Sequence, residues 1–260
     1  MKRKFFRIFT ATVLLILLGG NLAGTATAEG GSLHDPLTVG ERLTYKVYFA
    51  GIAAGTQTIE VKEKFNYQGY QVYRIKTATQ SSGVAKLLYK YDEEGEFLLA
   101  AEGFYPLYSR RHVLDKGKDY KEETYFQLER KQAVWERVYK DGQQRQELFS
   151  MPKPAQDGMS ITFYFRSRPW ERGAKEFLLL TNRGIKGIGY AIDNEPNFKS
   201  ALGVFAATRI SYEEQKDGEQ HKYTIWYTKD RQALPLRILV KKNVTMDARL
   251  VRVEKANVKQ

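Results

Sequence analysis

Apolar and polar residues alternate along most of the chain from Gly40 onward, in short runs rich in tyrosine, valine, isoleucine, threonine and phenylalanine. An alternation of period two is typical of β-strands that bury one face. Turn-forming residues separate the runs, and Gly69 can take the positive φ that a tight turn requires. The pattern predicts strands at 43–49, 55–62, 70–79, 108–114, 120–128, 133–139, 177–181, 189–193, 204–213, 220–227, 236–241 and 249–254.

This number of strands is too large for one flat sheet, because twisted sheets of more than about ten strands curl or split. We therefore expect a mainly β fold: a strongly curved antiparallel sheet, as a β-roll or half-barrel, with one short helix. Residues 40–260 are expected to form a single β-rich domain, preceded by a flexible segment at 29–39. The run 83–91 fits a short helix and also a strand, and both readings stay open.

Residues 157–168 break the strand pattern and predict a helix of about three turns between two halves of the sheet. Asp157 can accept hydrogen bonds from the free amides of the first turn. Ile161, Tyr164 and Phe165 share one face at helical spacing. Because Pro169 disfavours helical dihedrals at the residue before it, the helix is expected to end there.

The first 28 residues have the three parts of a secretory signal peptide. An apolar run at 8–18 follows a basic start, and small residues stand at Ala26 and Ala28. The apolar run is shorter than the roughly 20 residues that span a bilayer as a helix, so we expect cleavage after Ala28 and no transmembrane segment afterwards. The chain has no cysteine to carry a lipid anchor. The expected product is an exported protein of the periplasm or the extracellular space, and not a lipoprotein.

The chain is basic, with a formal net charge of +12. Its basic residues are spread singly among acids, without a block of five like charges. An exported basic protein meets anionic envelope components before nucleic acid, so nucleic-acid partners are not expected. An anionic or amphiphilic envelope ligand and a peripheral envelope contact are the candidate partners, although a solvated basic surface explains the same charge.

The residues that several classes of reaction or binding site require are absent from the sequence or have the wrong spacing. The absence of cysteine excludes disulfides, thiolate nucleophiles and cysteine zinc sites. His34, His112 and His221 lie far apart, without the spacing of a metal pair, so no metal site is expected. No cofactor is expected either, because the glycines of residues 184–189 have the wrong order for a dinucleotide loop. Ser160 lacks the Gly-x-Ser-x-Gly context of a hydrolase nucleophile.

Five segments occur in the order seen in the DUF3108 family of exported bacterial proteins: residues 40–55 (GERLTYKVYFAGIAAG), 104–108 (FYPLY), 156–166 (QDGMSITFYFR), Gly173, and 226–237 (WYTKDRQALPLR). The sequence resembles this family over nearly the whole mature chain. The resemblance implies a β-rich, roll-like periplasmic or envelope protein of unknown function, and it brings no established catalytic residues. Residues 182–198 lack obvious family features.

Asp157 and Asp230 are the two acids that could act as a pair, because two carboxylates suffice for glycosidic chemistry. Structural roles are the favoured interpretation: Asp157 as a helix cap and Asp230 as the first residue of a turn. Arg166 and Arg237 are expected to pair with these acids and so to lock the helix onto the sheet.

The 17 tyrosines, 14 phenylalanines and 3 tryptophans either fill the interior of the curved sheet or line a groove for an apolar or glycan ligand. The residues expected to be structural or to line such a groove are Asp157, Tyr164, Arg166, Trp226, Asp230 and Arg237.

Three functions are consistent with these features. The first is a non-catalytic envelope protein that holds a lipid-like or amphiphilic ligand in the concave sheet. The second is a structural or interaction module of envelope assembly, which predicts a filled interior and a free edge strand or an exposed apolar patch. The third and least favoured is a hydrolase of an envelope polymer, which would use Asp157 and Asp230.

Overall fold

The computed structural model describes residues 35–88, 90–181, 184–216 and 219–255; the predicted signal peptide at 1–28 and His34 lie outside these ranges. Two short helices, α1 (Gly83–Leu88) and α2 (Ser160–Arg166), and a single 3-10 turn at Pro169–Arg172 accompany the strands in the described residues. The strands are β1 (Arg42–Phe49), β2 (Ile52–Tyr67), β3 (Tyr70–Ser81), β4 (Tyr91–Ala100), β5 (Pro106–Asp115), β6 (Lys118–Gln127), β7 (Gln132–Tyr139), β8 (Gln144–Ser150), β9 (Glu176–Thr181), β10 (Gly184–Ser200), β11 (Gly203–Lys216), β12 (Glu219–Thr228), β13 (Pro235–Lys241) and β14 (Met246–Glu254).

All these strands belong to one curved antiparallel sheet, which confirms the predicted fold class. Its order is β8-β7-β6-β5-β4-β3-β2-β1-β14-β13-β12-β11-β10-β9. The chain starts in the middle of the sheet at β1, runs outward to the edge strand β8, and crosses through α2 to the other edge strand, β9. It then returns to the middle, where β14 pairs with β1. The predicted division into two halves on either side of α2 is therefore correct.

The turns alternate between two ends of the roll, because each strand runs antiparallel to its neighbour. We call one end the mouth end; it holds the turn at 50–51, the segment 82–90 with α1, and the turns at 116–117, 140–143 and 242–245. The other is the helix end; it holds the turns at 68–69, 101–105, 128–131, 201–202 and 229–234, together with the connector that carries α2.

α2 packs on the concave face of the sheet and joins its two halves. The ring of Phe163 contacts Phe97 of β4 edge-on at 5.5 Å, and the hydroxyl of Tyr227 on β12 donates to the carbonyl of Thr162 at 3.0 Å. A helix of seven residues is too short to be stable alone. Burial between the halves of the sheet therefore holds it in place.

A second group of aromatic side chains fills the roll beyond α2. Phe165 packs edge-on against Phe177 at 5.5 Å and against Tyr190 at 5.0 Å. Tyr212 stacks on Tyr223 at 4.7 Å. In this half of the roll the aromatic residues serve as core.

Several local predictions need correction. The strands β4 and β8 were not predicted, and β10 is much longer than the predicted strand at 189–193. Of the described residues in the run 83–91, 83–88 form α1, Lys90 belongs to neither element, and Tyr91 begins β4. The predicted helix at 157–168 is shorter, because it begins at Ser160 and ends at Arg166. Arg168 takes a left-handed φ of 53°, so the chain has left the helix before Pro169.

Residues 35–39 are the described part of the segment predicted to be flexible. Leu37 is buried in the main core, and its amide donates to Asp35 at 3.2 Å. The carboxylate of Asp35 accepts a hydrogen bond of 2.5 Å from the hydroxyl of Tyr73 on β3. These contacts anchor this part of the segment to the roll.

Candidate ligand-binding cavity

A cavity of about 340 Å³ lies on the concave face of the sheet between α2 and the mouth end. Phe49, Ser81, Tyr91 and Met246 line it, and each stands at the mouth end of its strand. The first residues of the α2 region form its floor. Its volume falls at the lower end of the roughly 300–1,000 Å³ of pockets that take small molecules.

One wall of the cavity is apolar. It is built from alternate residues of strands in both halves of the sheet: Val47, Ile59, Phe97, Leu179, Ile238, Val240 and Ala248. Leu179 and Leu180, which point to opposite faces of β9, both line the cavity, as does Phe149 of β8. The cavity therefore reaches the gap between the two edge strands.

A neighbouring part of the lining, on β4 to β6, forms a charged wall of Glu93, Arg111 and Glu122. Together with Arg137 on β7, which binds Glu122, we call these residues the Arg111 network. Glu122 accepts hydrogen bonds from the guanidinium groups of Arg111 and Arg137, with 2.6 Å from Arg137 Nε. Arg111 Nη1 lies 3.6 Å from Glu93, which also accepts a hydrogen bond from the Tyr91 hydroxyl. Two arginines thus face two glutamates on adjacent strands, and their formal charges cancel.

The network also sets the ionisation of its arginines. Burial lowers the pKa of Arg111, but the carboxylates of Glu122 and Glu93 outweigh it, and the net pKa is raised. The pKa of Arg137 is raised in the same way by Glu122 against the effect of burial. The guanidinium of Arg137 lies 4.5 Å from the ring centre of Tyr120 and 5.0 Å from that of Trp135. Both arginines therefore stay charged; acids hold both of them, and aromatic rings also hold Arg137.

A glycine shapes this wall. A side chain at Gly95 would bring its Cβ within 2.5 Å of Thr77 Oγ1, so only glycine fits between β3 and β5 here. Glycine in a strand interior marks a bend or a close approach. At this position it leaves space in front of Arg111, the neighbour of Gly95 across the β4–β5 pair.

Asp157 lines the cavity and caps α2. Its Oδ1 accepts hydrogen bonds from the amides of Met159 and Ser160 at 2.9 and 2.7 Å. The predicted N-cap position is two residues too early, because α2 begins at Ser160 with Met159 at the N-cap position. The predicted hydrogen bonds from the first amides of the helix to Asp157 are nevertheless present. The capping residue is therefore itself part of the cavity floor.

Arg166 does not pair with Asp157 or Asp230, and that prediction is wrong. Its guanidinium, 0% exposed, binds the carboxylate of Glu41 through two hydrogen bonds of 2.6 and 3.0 Å. It also donates to the carbonyls of Pro36 and Gln232. We call these residues the Arg166 network. It locks α2 onto the sheet as predicted, but through a partner that precedes β1.

Arg237 does not pair with either predicted acid. It donates to Asp247 through two bonds of 2.8 Å, and Arg249 binds the same carboxylate. Burial raises the pKa of Asp247, but these hydrogen bonds outweigh it and hold the pKa below its usual value. The guanidinium of Arg237 lies 5.2 Å from the ring centre of Trp226.

The other candidate residues lie outside the cavity lining. Asp230 Oδ1 accepts from the amides of Gln232 and Ala233, which confirms its role in the turn. Tyr164 packs against Phe177, and burial raises the pKa of its hydroxyl, with Arg172 opposing the shift. Trp226 is buried and stacks on Phe198 at 5.3 Å. Of the six residues selected from the sequence, Asp157 alone is among the described residues that line the cavity.

A family model for a protein of unknown function, DUF3108, matches residues 44–249. The chain belongs to the DUF3108 family. The resemblance found in the sequence is thereby confirmed. No curated protein matches this sequence.

A search of solved structures finds a similar fold. A β-barrel-like protein of the domain of unknown function DUF1849 from Brucella abortus superposes with a TM-score of 0.53 at 12% identity, covering 84% of this DUF3108 chain and 98% of the other. A protein from Bacteroides fragilis described as exported, with a YmcC-like fold, has a TM-score of 0.37 at 10% identity, covering 86% and 100% of the two chains. A protein from Parabacteroides distasonis described as a lipoprotein has a TM-score of 0.37 at 10% identity, covering 87% and 100%.

The described residues of this DUF3108 chain contain no cluster of three or more metal-ligating histidines or acids. His112 lies 2.8 Å from Asp119, and His221 is buried on β12. None of the described helices is long and apolar enough to cross a membrane.

Proposed function

We propose that this protein is a non-catalytic envelope protein that binds a single-chain amphiphilic ligand in the cavity of its roll. The observation that carries the proposal is the cavity itself, which reaches the mouth end, is apolar over much of its lining and is charged at Glu93, Arg111 and Glu122. An alkyl chain would lie along Val47, Ile238 and Val240, where its burial replaces contact with water. The predicted signal peptide supports an envelope location.

The charged wall suits a polar head group better than a bare ion. The Arg111 network is neutral overall, so it exerts little net attraction on a free anion or cation. It still presents both N–H donors and carboxylate acceptors, with Thr77 and Thr124 beside them. A head group with hydroxyl, amide or ester functions can use both kinds of partner.

The acids around the cavity are engaged in structural contacts. Glu93 and Glu122 bind arginines, and Glu96 lies within 4 Å of Lys76 and Arg110. Asp157 binds the amides of α2, and Asp247 binds two arginines. A general acid must gain and lose a proton during each turnover, which these contacts oppose. Asp230 stands at the helix end and is not among the residues that line the cavity. The hydrolase reading therefore has less support than ligand binding.

The test is native mass spectrometry with lipid extraction, on the full chain expressed in an exporting host and recovered from its exported fraction. A stoichiometric amphiphile is the expected result. The variant Ala248→Phe, which fills the apolar wall, should lose it, whereas Ala191→Phe at an exposed position of β10 should keep it. A wild-type protein that carries no ligand and binds none of a panel of single-chain amphiphiles would refute the proposal.

A second candidate function, protein interaction, is favoured by one specific observation. The edge strand β8 is exposed along nearly its whole length, and Leu148 is 65% exposed. An unpaired strand edge is a template for a strand from another chain. Pull-down with wild type and with Leu148→Lys tests this candidate, because a strand-binding partner should be lost in the variant.

A further inference from the structure

Exposed apolar side chains stand at the mouth end of the roll. Ile52, beside the turn between β1 and β2, is 66% exposed, and Leu87 on α1 is 86% exposed. The two elements are neighbours, because the amide of Ser82 donates to the carbonyl of Ala54 at 2.9 Å. Large apolar side chains exposed to this extent are candidates for contact with a partner or a membrane.

The cavity opens beside them. Phe49 and Ala54 lie on either side of Ile52 along the chain, and Ser81 and Tyr91 lie on either side of α1. All four residues line the cavity. A ligand that passes in or out at this end moves beside Ile52 and Leu87. An apolar surface at the entrance shields an alkyl chain from water during that passage.

Exposed lysines stand at the same end of the roll as Ile52 and Leu87. Lys86 and Lys90 are exposed on either side of Leu87 along the chain. Lys118 at the start of β6 and Lys140 in the turn after β7 are exposed as well, and Lys140 lies 3.9 Å from Asp119. In the described turns of the mouth end, Asp141 is the exposed acid. The described turns of the helix end differ, because exposed acids such as Glu102, Glu129 and Asp230 stand among their basic residues.

From this combination we infer that the mouth end docks on an anionic lipid bilayer, with Ile52 and Leu87 at the level of the acyl chains and the lysines at the head groups. Apolar side chains flanked by lysines are the arrangement by which peripheral proteins bind anionic membranes. Charge complementarity selects a bilayer over a neutral apolar partner. The inference rests on the proposed function for its purpose, since docking would place the cavity where an amphiphile can enter.

Vesicle flotation measures docking directly. The exported full chain is expected to float with vesicles of equal parts phosphatidylglycerol and phosphatidylcholine, and not with phosphatidylcholine alone. Lys86→Gln with Lys90→Gln should weaken binding about tenfold or more, since each lysine near an anionic surface contributes about fivefold. Ile52→Ser with Leu87→Ser should weaken it to a similar degree. The matched controls, Lys153→Gln and Val204→Ser, change exposed residues of the helix end and should bind as wild type does.

A second measurement locates the contact. Tryptophan introduced as Leu87→Trp should be quenched by brominated acyl chains in the anionic vesicles, and Val204→Trp should not. Equal binding to both kinds of vesicle, no binding, or equal effects of mouth-end and control variants would overturn the inference. Ligand co-purification is scored separately, so a failure of docking with a ligand still in the cavity leaves the proposed function standing.

Discussion

The Arg166 network at the helix end and the Arg111 network beside the cavity both join arginine to buried glutamate, but they differ in what surrounds them. Around Arg166, the carboxylate of Glu41 and two backbone carbonyls take up the guanidinium, and no part of the side chain is exposed. Around Arg111, the side chain keeps 19% of its surface exposed and borders the cavity. The first arrangement is closed to ligands, and the second is available to them.

The comparison shows how one sheet can have a helix end that is filled by packing and a mouth end that leaves a cavity for a ligand. α2 fills the roll at the helix end, and Arg166 at its last position binds Glu41 and Pro36, which precede β1. At the mouth end, α1 contributes none of the described residues that line the cavity, so side chains of β4, β5 and β6 border open space there. A buried ion pair is weak evidence for stability by itself, because desolvation offsets its attraction. The surroundings of such an ion pair determine whether it only stabilises the fold or is also available to bind a ligand.

The largest expected effect is in the closed network. Arg166→Met would leave Glu41 buried without its cation, and we expect a loss of about 3–5 kcal/mol in the free energy of unfolding. Urea unfolding at neutral pH measures it. Arg172→Met, at an exposed position six residues later, is the control and should change stability little. A loss below about 1 kcal/mol for Arg166→Met would contradict the structural role of this network.

A smaller loss is expected beside the cavity. In Arg111→Met, Glu122 keeps Arg137 and Glu93 keeps the Tyr91 hydroxyl, and water can enter the cavity. We expect a loss of about 1–3 kcal/mol in the same unfolding experiment. Arg110→Met, which changes a side chain that is 55% exposed, is the matched control. If Arg111→Met costs as much as Arg166→Met, the two networks are equally closed and the comparison fails.

The same contrast separates what the sequence predicts from what it does not. Strands that bury one apolar face, such as β1 and β3, were predicted because alternation is a property of the strand itself. β4 was missed because its inward positions include Glu93 and Gly95, which break the apolar alternation. Glu93 is explained by its contact with Arg111 on β5, and Gly95 by the close approach of Thr77 on β3. The exposed edge strand β8 was missed because it buries almost nothing.

The charge pairs show the same limit. Arg166 was singled out as a fastener, yet its partner Glu41 lies 125 positions away and no local pattern connects them. The local hydrogen bonds of Asp157 at the helix start and of Asp230 in its turn were predicted correctly, because each residue bonds to amides within three positions. The cavity follows from the space left above α2, which is a property of the packed roll. Gly95 within β4 was the sequence feature that could have indicated the cavity, since a glycine inside a strand marks a bend or a close approach.

The folded protein is expected to lose stability at alkaline pH because the buried hydroxyl of Tyr45, near the Arg166 network, must ionise. Burial raises the pKa of Tyr45, with Glu41 adding to the shift and Arg166 opposing it. Because the folded pKa is raised, this stabilisation is complete below the unfolded pKa of about 10 and is lost as pH rises above it. Tyr45→Phe should cost about 1 kcal/mol near pH 8, through loss of its 2.9 Å hydrogen bond to Pro235. It should also reduce the drop in stability between about pH 8 and 11 by about 1 kcal/mol. An unchanged drop would show that Tyr45 ionises freely in the folded protein.

The smallest expected effect joins the two regions, because Asp157 belongs to both the helix and the cavity. Asp157→Ala removes the acceptor for the amides of Met159 and Ser160 and should cost about 1 kcal/mol in unfolding free energy. Asp157→Asn keeps an acceptor oxygen and should cost less than the alanine variant. If the cap also fixes the cavity floor, the alanine variant should retain less co-purified amphiphile than the asparagine variant. Equal ligand content in two variants of unequal stability would show that the floor is set by the packing of α2 rather than by its cap.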